Sequence, residues 1–261
     1  MSLLNYQLST PNCEAKTCVV LIHGLFGDLD NLKALANTLE EHQVLRLDVP
    51  NHGNSPHWAE MDYPSLAKAV VDLLGRLKIA QAHFVGHSMG GKIAMATALL
   101  YPQYVKSLVV ADIAPVAYPP RHHIVFAALN QLDPAQLSNR AQALSQLLDA
   151  GIDEGTAQFL LKNLKREQTG FSWRMNIKAL EASYDKLIGW ELGGSGKSYG
   201  GPSLCIRGAD SDYVQAAHTQ AFVSQFPAIQ AKSLAGAGHW LHAQKPAVFN
   251  RLVGEFIANH Q

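Results

Sequence analysis

Short apolar runs alternate with helical patterns at both ends of this 261-residue chain. "TCVVLI" (17–22), "QVLRLDV" (43–49), "AHFVGH" (82–87) and "VKSLVVADIA" (105–114) read as strands. Between them, "NLKALANTLEEH" (31–42), "SLAKAVVDLLGRL" (65–77) and "KIAMATALLYP" (92–102) place apolar residues at helical spacing. Strands that are apolar almost throughout must be covered on both faces. The alternation therefore predicts an α/β chain with a parallel sheet between two layers of helices.

The rhythm breaks at residue 117. Up to residue 190 the pattern is mostly helical: "HIVFAALNQL", "PAQLSNRAQALSQLLDA", "TAQFLLKNLK" and "NIKALEASYDKLIGW". A glycine-rich link, "GGSGKSYGG" (193–201), closes this block. Strand "SLCIRG" (203–208), helix "HTQAFVSQF" (218–226), strand "IQAKSLA" (229–235) and a final helix (246–260) follow. Residues 1–116 and 191–261 are thus expected to form a core domain, and 117–190 a helical cap over the strand ends.

Composition narrows the classes. The apolar fraction of 48% supports a large core, and a formal net charge of zero gives no electrostatic reason to expect nucleic acid or an anionic membrane as partner. Cys13, Cys18 and Cys205 are too few and too scattered for a disulfide framework or a zinc site. No signal-peptide pattern opens the chain, and no apolar stretch reaches membrane-spanning length. These features lead us to expect a cytoplasmic protein, a monomer or weak homo-oligomer.

The chemistry concentrates in "HFVGHSMGG" (83–91). A Gly-x-Ser-x-Gly match is weak alone, and a plain tight turn would explain it. Between a strand and a helix it fits a nucleophile elbow, in which small neighbours let the chain turn sharply and expose Ser88. The Met89 N–H would open the helix and face a developing oxyanion. A serine hydroxyl needs a base, and His239, in "GAGHWLH" after the last strand, has the right place; His242 is a weaker candidate. For the acid, Asp210 follows the penultimate strand, the favoured position, while Asp112 and Asp212 are alternatives. Asp48 reads as a structural carboxylate holding the "NHGNS" loop. In "LIHGLFGDLDNL" (21–32), a His-Gly loop after a buried strand would aim the Leu25 N–H at the same oxyanion.

Together "HGLFG", "LDVPNHGNSP", "GHSMGGK", "DIAPV" and "GAGHWLHAQKP" resemble the α/β-hydrolase superfamily over essentially the whole chain, closest to the YbfF-type esterase branch and its mitochondrial abhydrolase-domain relatives. The resemblance implies an α/β-hydrolase fold: a mostly parallel central sheet flanked by helices, with the helical cap inserted after the sixth strand. It also implies Ser88 as nucleophile and His239 as general base and acid. It moves the acid to Asp112, with Asp210 the runner-up, because the branch carries Gly-Asn-Ser where this chain has 208–212.

The function expected is a serine esterase or thioesterase acting on small soluble carboxylic esters or acyl-CoA thioesters through an acyl-enzyme, with no cofactor and no metal. Arg121, His123, Phe126 and Trp240 are candidate substrate-binding residues, and Arg121 would attract an anionic group such as a phosphate of coenzyme A. Alternatives on the same fold are a lyase resembling a menaquinone-pathway synthase, a carbon–carbon hydrolase, a cofactor-free haloperoxidase, or a non-catalytic ligand-binding module. A dehalogenase or epoxide hydrolase would need aspartate at position 88.

Overall fold

The computed structural model describes residues 3–11 and 16–261; Cys13 lies outside them. Strand β1 (Tyr6–Ser9) leads into β2 (Lys16–Ile22), a one-turn helix α1 (Lys33–Ala36) and β3 (His42–Leu47). Helix α2 (Tyr63–Arg76) precedes β4 (Ala82–His87), α3 (Met89–Leu100) and β5 (Val105–Ala111). The insertion that follows carries α4 (His123–Gln131), α5 (Arg140–Asp149), α6 (Glu154–Leu161), a hairpin of β6 (Leu164–Arg166) and β7 (Phe171–Trp173), then α7 (Ile177–Ala182) and α8 (Tyr184–Ile188). The chain returns through β8 (Ser203–Gly208), α9 (Thr219–Gln225), β9 (Ile229–Leu234), α10 (Leu241–Gln244) and α11 (Pro246–Ala258).

The central sheet runs β1-β3-β2-β4-β5-β8-β9, parallel except for β1 on the edge. Odd and even residues divide its two faces. Val20, Ile22, Leu45, Leu47, Phe84, Leu108 and Val110 join one core under α2, α3 and the insertion. Val19, Leu21, Val44, Val85, Val109 and Ile206 join the other, with Phe249, Val253 and Ile257 of α11. Both faces are covered, as continuous apolar strands require.

Three local expectations differ. The helix expected over 31–42 shrinks to α1 because short polar side chains take up the backbone before it: Asp28 N–H donates to Asn31 Oδ1 at 2.6 Å and Asp30 N–H to Asp28 Oδ1 at 3.0 Å. The helix read over 156–165 stops at Leu161, and β6 pairs with β7 across a turn holding Gly170 at φ 68°. The insertion follows the fifth strand in chain order, not the sixth, because only β1 precedes β2 among the described residues.

This topology gathers the site. From β2 the chain moves out to β3 on one side and then crosses back to β4 on the other, so a crevice opens beyond the carboxyl ends of β2 and β4. The His-Gly loop leaves β2 there, Ser88 ends β4, and Asp112 ends β5.

Candidate active site

Ser88 sits at φ 53° and ψ −123°, a conformation that side chains seldom adopt and that costs ~1–3 kcal/mol. Its N–H donates to Ala111 O at 3.0 Å. The glycines make the turn possible: a Cβ on Gly86 would lie 2.1 Å from Gly90 O, and one on Gly90 2.2 Å from Ile22 O. Strand, helix and the β2 end meet with no room for a methyl group.

His239 lies in the loop between β9 and α10. Its Nε2 is 2.9 Å from Ser88 Oγ and its Nδ1 2.8 Å from Asp112 Oδ2. Asp112 is fully buried, and its own φ of 51° swings the carboxylate off the end of β5. Gly208 N–H donates to Oδ1 at 2.9 Å, and the Ser211 hydroxyl donates to Oδ2. One oxygen thus faces the imidazole while both are anchored from β8 and the loop after it.

The other acid candidates lie elsewhere. Asp210 is exposed; its N–H donates to Ala237 O at 3.0 Å, which ties the loop to the β9 side, and it is Ser211, not Asp210, that reaches the Asp112 carboxylate. Asp212 is exposed and pairs with Arg121 Nη1 at 2.7 Å. His242 is buried beside His87, ring centroids 4.4 Å apart, without a bond to Ser88.

Several positioning contacts carried no sequence signal. His87 Nε2–H donates to His239 O at 2.8 Å, so the residue before the serine fixes the backbone of the histidine. Tyr213 stacks on the His239 ring at 3.8 Å, and the Arg121 guanidinium lies 4.8 Å from the Tyr213 ring. Such long-range contacts leave no local pattern to read.

The His-Gly loop is held by neutral imidazoles. His23 Nδ1–H donates to Gly24 O at 2.8 Å and its Nε2 accepts from Val49 N–H at 3.0 Å. His52 Nε2 accepts from Phe26 N–H at 3.1 Å. Asp48 is structural, as expected from sequence: it accepts from Leu29 N–H at 2.8 Å and from Asn54 N–H at 2.9 Å. Leu25 and Met89 line the cleft with Ser88, and among the described residues neither backbone N–H has an acceptor. Two donors beside a hydroxyl are what a tetrahedral oxyanion requires.

Burial pushes the His52 imidazole down to about 3 and those of His242 and His122 down to about 4; it also lowers His23 and His87. Each folded-state value lies below the ordinary one, so the unfolded chain takes up the proton first. Stability is therefore complete above pH ~6.5 and falls as pH drops toward 4. We expect the melting temperature to fall by roughly ten degrees or more between pH 7 and 4.5. Thermal melts across that range check this; an unchanged midpoint would contradict it.

Two lobes meet at Ser88. A narrow one of about 40 Å³ is lined by Tyr63, Met89, Lys92, Ile113 and Leu187. A wider one of about 360 Å³ is lined by Ile124, Thr156, Phe159 and Trp240. Leu25, Arg121, His122 and Tyr213 belong to both and form the wall between them. Two substrate-binding candidates do not line the site. His123, the first residue of α4, is exposed; Phe126, one turn on, is buried behind the wall against Phe26 and Tyr184, at 5.3 and 5.2 Å between centroids. His122 takes the place expected of His123, its Nδ1 accepting from the Tyr184 hydroxyl at 2.7 Å. Among the described residues no group of three or more His, Cys, Asp or Glu side chains is spaced to hold a metal ion, and no helix is long and apolar enough to cross a membrane.

Comparison with known proteins identifies the fold. The family model described as the alpha/beta hydrolase fold matches residues 17–246. The chain is 39% identical over 241 residues to the Escherichia coli esterase YbfF, covering 92% of each protein. It is 36% identical over 249 residues to the mouse sn-1-specific diacylglycerol lipase ABHD11, covering 92% of this chain and 80% of the lipase. A solved marine microorganism esterase superposes with a TM-score of 0.91 at 32% identity, over 97% of this chain and 99% of that one. The chain belongs to the α/β-hydrolase fold family, in the branch that holds the YbfF-type esterases.

Proposed function

We propose that the chain is a serine hydrolase that cleaves small carboxylic esters and thioesters through an acyl-enzyme. The observation that carries this reading is the continuous Ser88–His239–Asp112 chain of 2.9 and 2.8 Å contacts. Ser88 Oγ attacks the carbonyl carbon while His239 Nε2 takes its proton. Asp112 holds the Nδ1–H tautomer and stabilises the imidazolium that forms. The N–H groups of Leu25 and Met89 hold the oxyanion. His239 then protonates the leaving alkoxide or thiolate, and water, deprotonated by His239, releases the acid from Ser88.

The narrow apolar lobe suits the acyl group and the wider lobe the leaving group. Residues 117–190 act as a lid that supplies the wall between them. Arg121 faces the wider lobe, where it would meet an anionic leaving group such as coenzyme A. Its pairing with Asp212 reduces that pull, so Arg121→Ala is expected to raise KM for an acyl-CoA only a few-fold. KM for a neutral p-nitrophenyl ester should stay unchanged, and equal effects on both substrates would remove the coenzyme A reading.

Rapid-mixing kinetics with p-nitrophenyl acetate test the mechanism. A burst approaching one p-nitrophenolate per chain, followed by slower turnover, is expected of an acyl-enzyme. Turnover with no covalent intermediate under any condition would favour the lyase chemistry that the same fold supports.

A further inference from the structure

Helix α3 carries a single charged side chain, Lys92, one turn after Ser88. Lys92 is 1% exposed. Its ammonium donates to the carbonyls of Ile188 at 2.9 Å and Gly189 at 2.7 Å, which uses two of its three N–H groups. Around it stand the rings of Tyr118, Tyr63 and Trp190, at 5.0, 5.6 and 6.0 Å from Nζ. The hydroxyls of both tyrosines are committed to backbone carbonyls, those of Tyr213 and Leu187. Among the described residues no carboxylate lies within 4.0 Å of Nζ.

A buried ammonium without an anionic partner is rare because desolvating a charge is costly. The ring faces recover part of that cost, yet burial still draws the Lys92 ammonium down to about 7. The two carbonyls alone do not account for a lysine here. A strap between α3 and the end of α8 could be built from neutral donors, and a strap has no reason to line the lobe that also holds Ser88. Lys92 does line it.

We infer that Lys92 is a specificity-determining residue, whose third N–H and positive charge receive a carboxylate at the far end of the acyl group. The preferred substrates are then half-esters or half-thioesters of short dicarboxylic acids. This rests on the reading of the site as an ester hydrolase. Ser88 and Lys92 are four residues apart, about 6 Å along the helix axis, so the acyl chain must be short. Hydrolysis of such a half-ester consumes one water and releases the alcohol, the dicarboxylate and one proton.

The test measures that proton at constant pH. Monoethyl succinate, glutarate and adipate are compared with ethyl butanoate, pentanoate and hexanoate, which carry the same numbers of acyl carbons. In the unaltered protein, at least one half-ester is expected to exceed its neutral counterpart ten-fold or more in kcat/KM, mainly through KM. Lys92→Met should cut that ratio ten-fold or more. If Lys92→Met does not fold, inhibition of the unaltered protein decides: glutarate or adipate should compete at concentrations ten-fold below those of pentanoate or hexanoate. Half-esters at or below their neutral counterparts in the unaltered protein would overturn the inference, as would a ratio that Lys92→Met leaves intact. If neutral esters are cleaved in a Ser88-dependent way without this preference, only the assignment of Lys92 falls. If no ester of either series is cleaved, the reading as an ester hydrolase falls with it.

Discussion

Ser88→Ala should lower kcat on any ester substrate by about five to six orders of magnitude. The loss is this large because the hydroxyl is both the attacking atom and the proton donor to His239; no neighbouring group can replace it. Among the described residues its side-chain partner is His239 Nε2, so the substitution removes one hydrogen bond and should change stability by about 1 kcal/mol. Circular dichroism and a thermal melt separate lost chemistry from lost fold. The Leu25 and Met89 donors remain in the variant, so a small residual rate above that in water is expected. Substantial turnover would mean that another residue attacks the substrate.

Asp112→Asn should cost about 10⁴-fold in kcat, whereas Asp210→Asn should leave kcat within about two-fold of the unaltered value. An asparagine oxygen can still accept from Gly208 N–H, so the fold around residue 112 survives. The amide NH₂ now competes for His239 Nδ1 and favours the tautomer whose proton points at Ser88, where it cannot act as a base. Asp210 is exposed and takes part through its backbone N–H alone, so nothing catalytic is lost there. Steady-state kinetics on the two variants with one ester make the comparison; a larger loss for Asp210→Asn would overturn the assignment.

Much of this arrangement is legible in the sequence because its causes are local. The glycines of "GHSMG" are needed where Gly86 and Gly90 meet backbone oxygens at under 2.5 Å from a built Cβ. The alternation of apolar runs specifies a sheet covered on two faces, and the core divides along those residues. The acid was not legible from position alone, which favoured Asp210. What separates the two aspartates is the φ of 51° at Asp112 and the turn that brings Ser211 inward, and neither leaves a pattern in the residues. Strand β1 did leave one: "YQLS" alternates half-buried with exposed residues, but four residues are too few to stand out. The β6–β7 hairpin was hidden for a related reason, since "KNLK" continues the helical spacing of α6 while Asn163 turns away to hydrogen-bond Phe26 O at 2.7 Å. The walls of the two lobes draw on segments spread from Leu25 to Trp240, and only the folded chain brings them together.

The proposed mechanism requires that Ser88 alone attack the substrate. Inactivation with a fluorophosphonate, followed by mass spectrometry of the tryptic peptides, tests it most directly. One adduct per chain is expected, on Ser88, with activity lost in proportion to labelling and no adduct on Ser88→Ala. An adduct on another residue, or full turnover by the labelled protein, would contradict it.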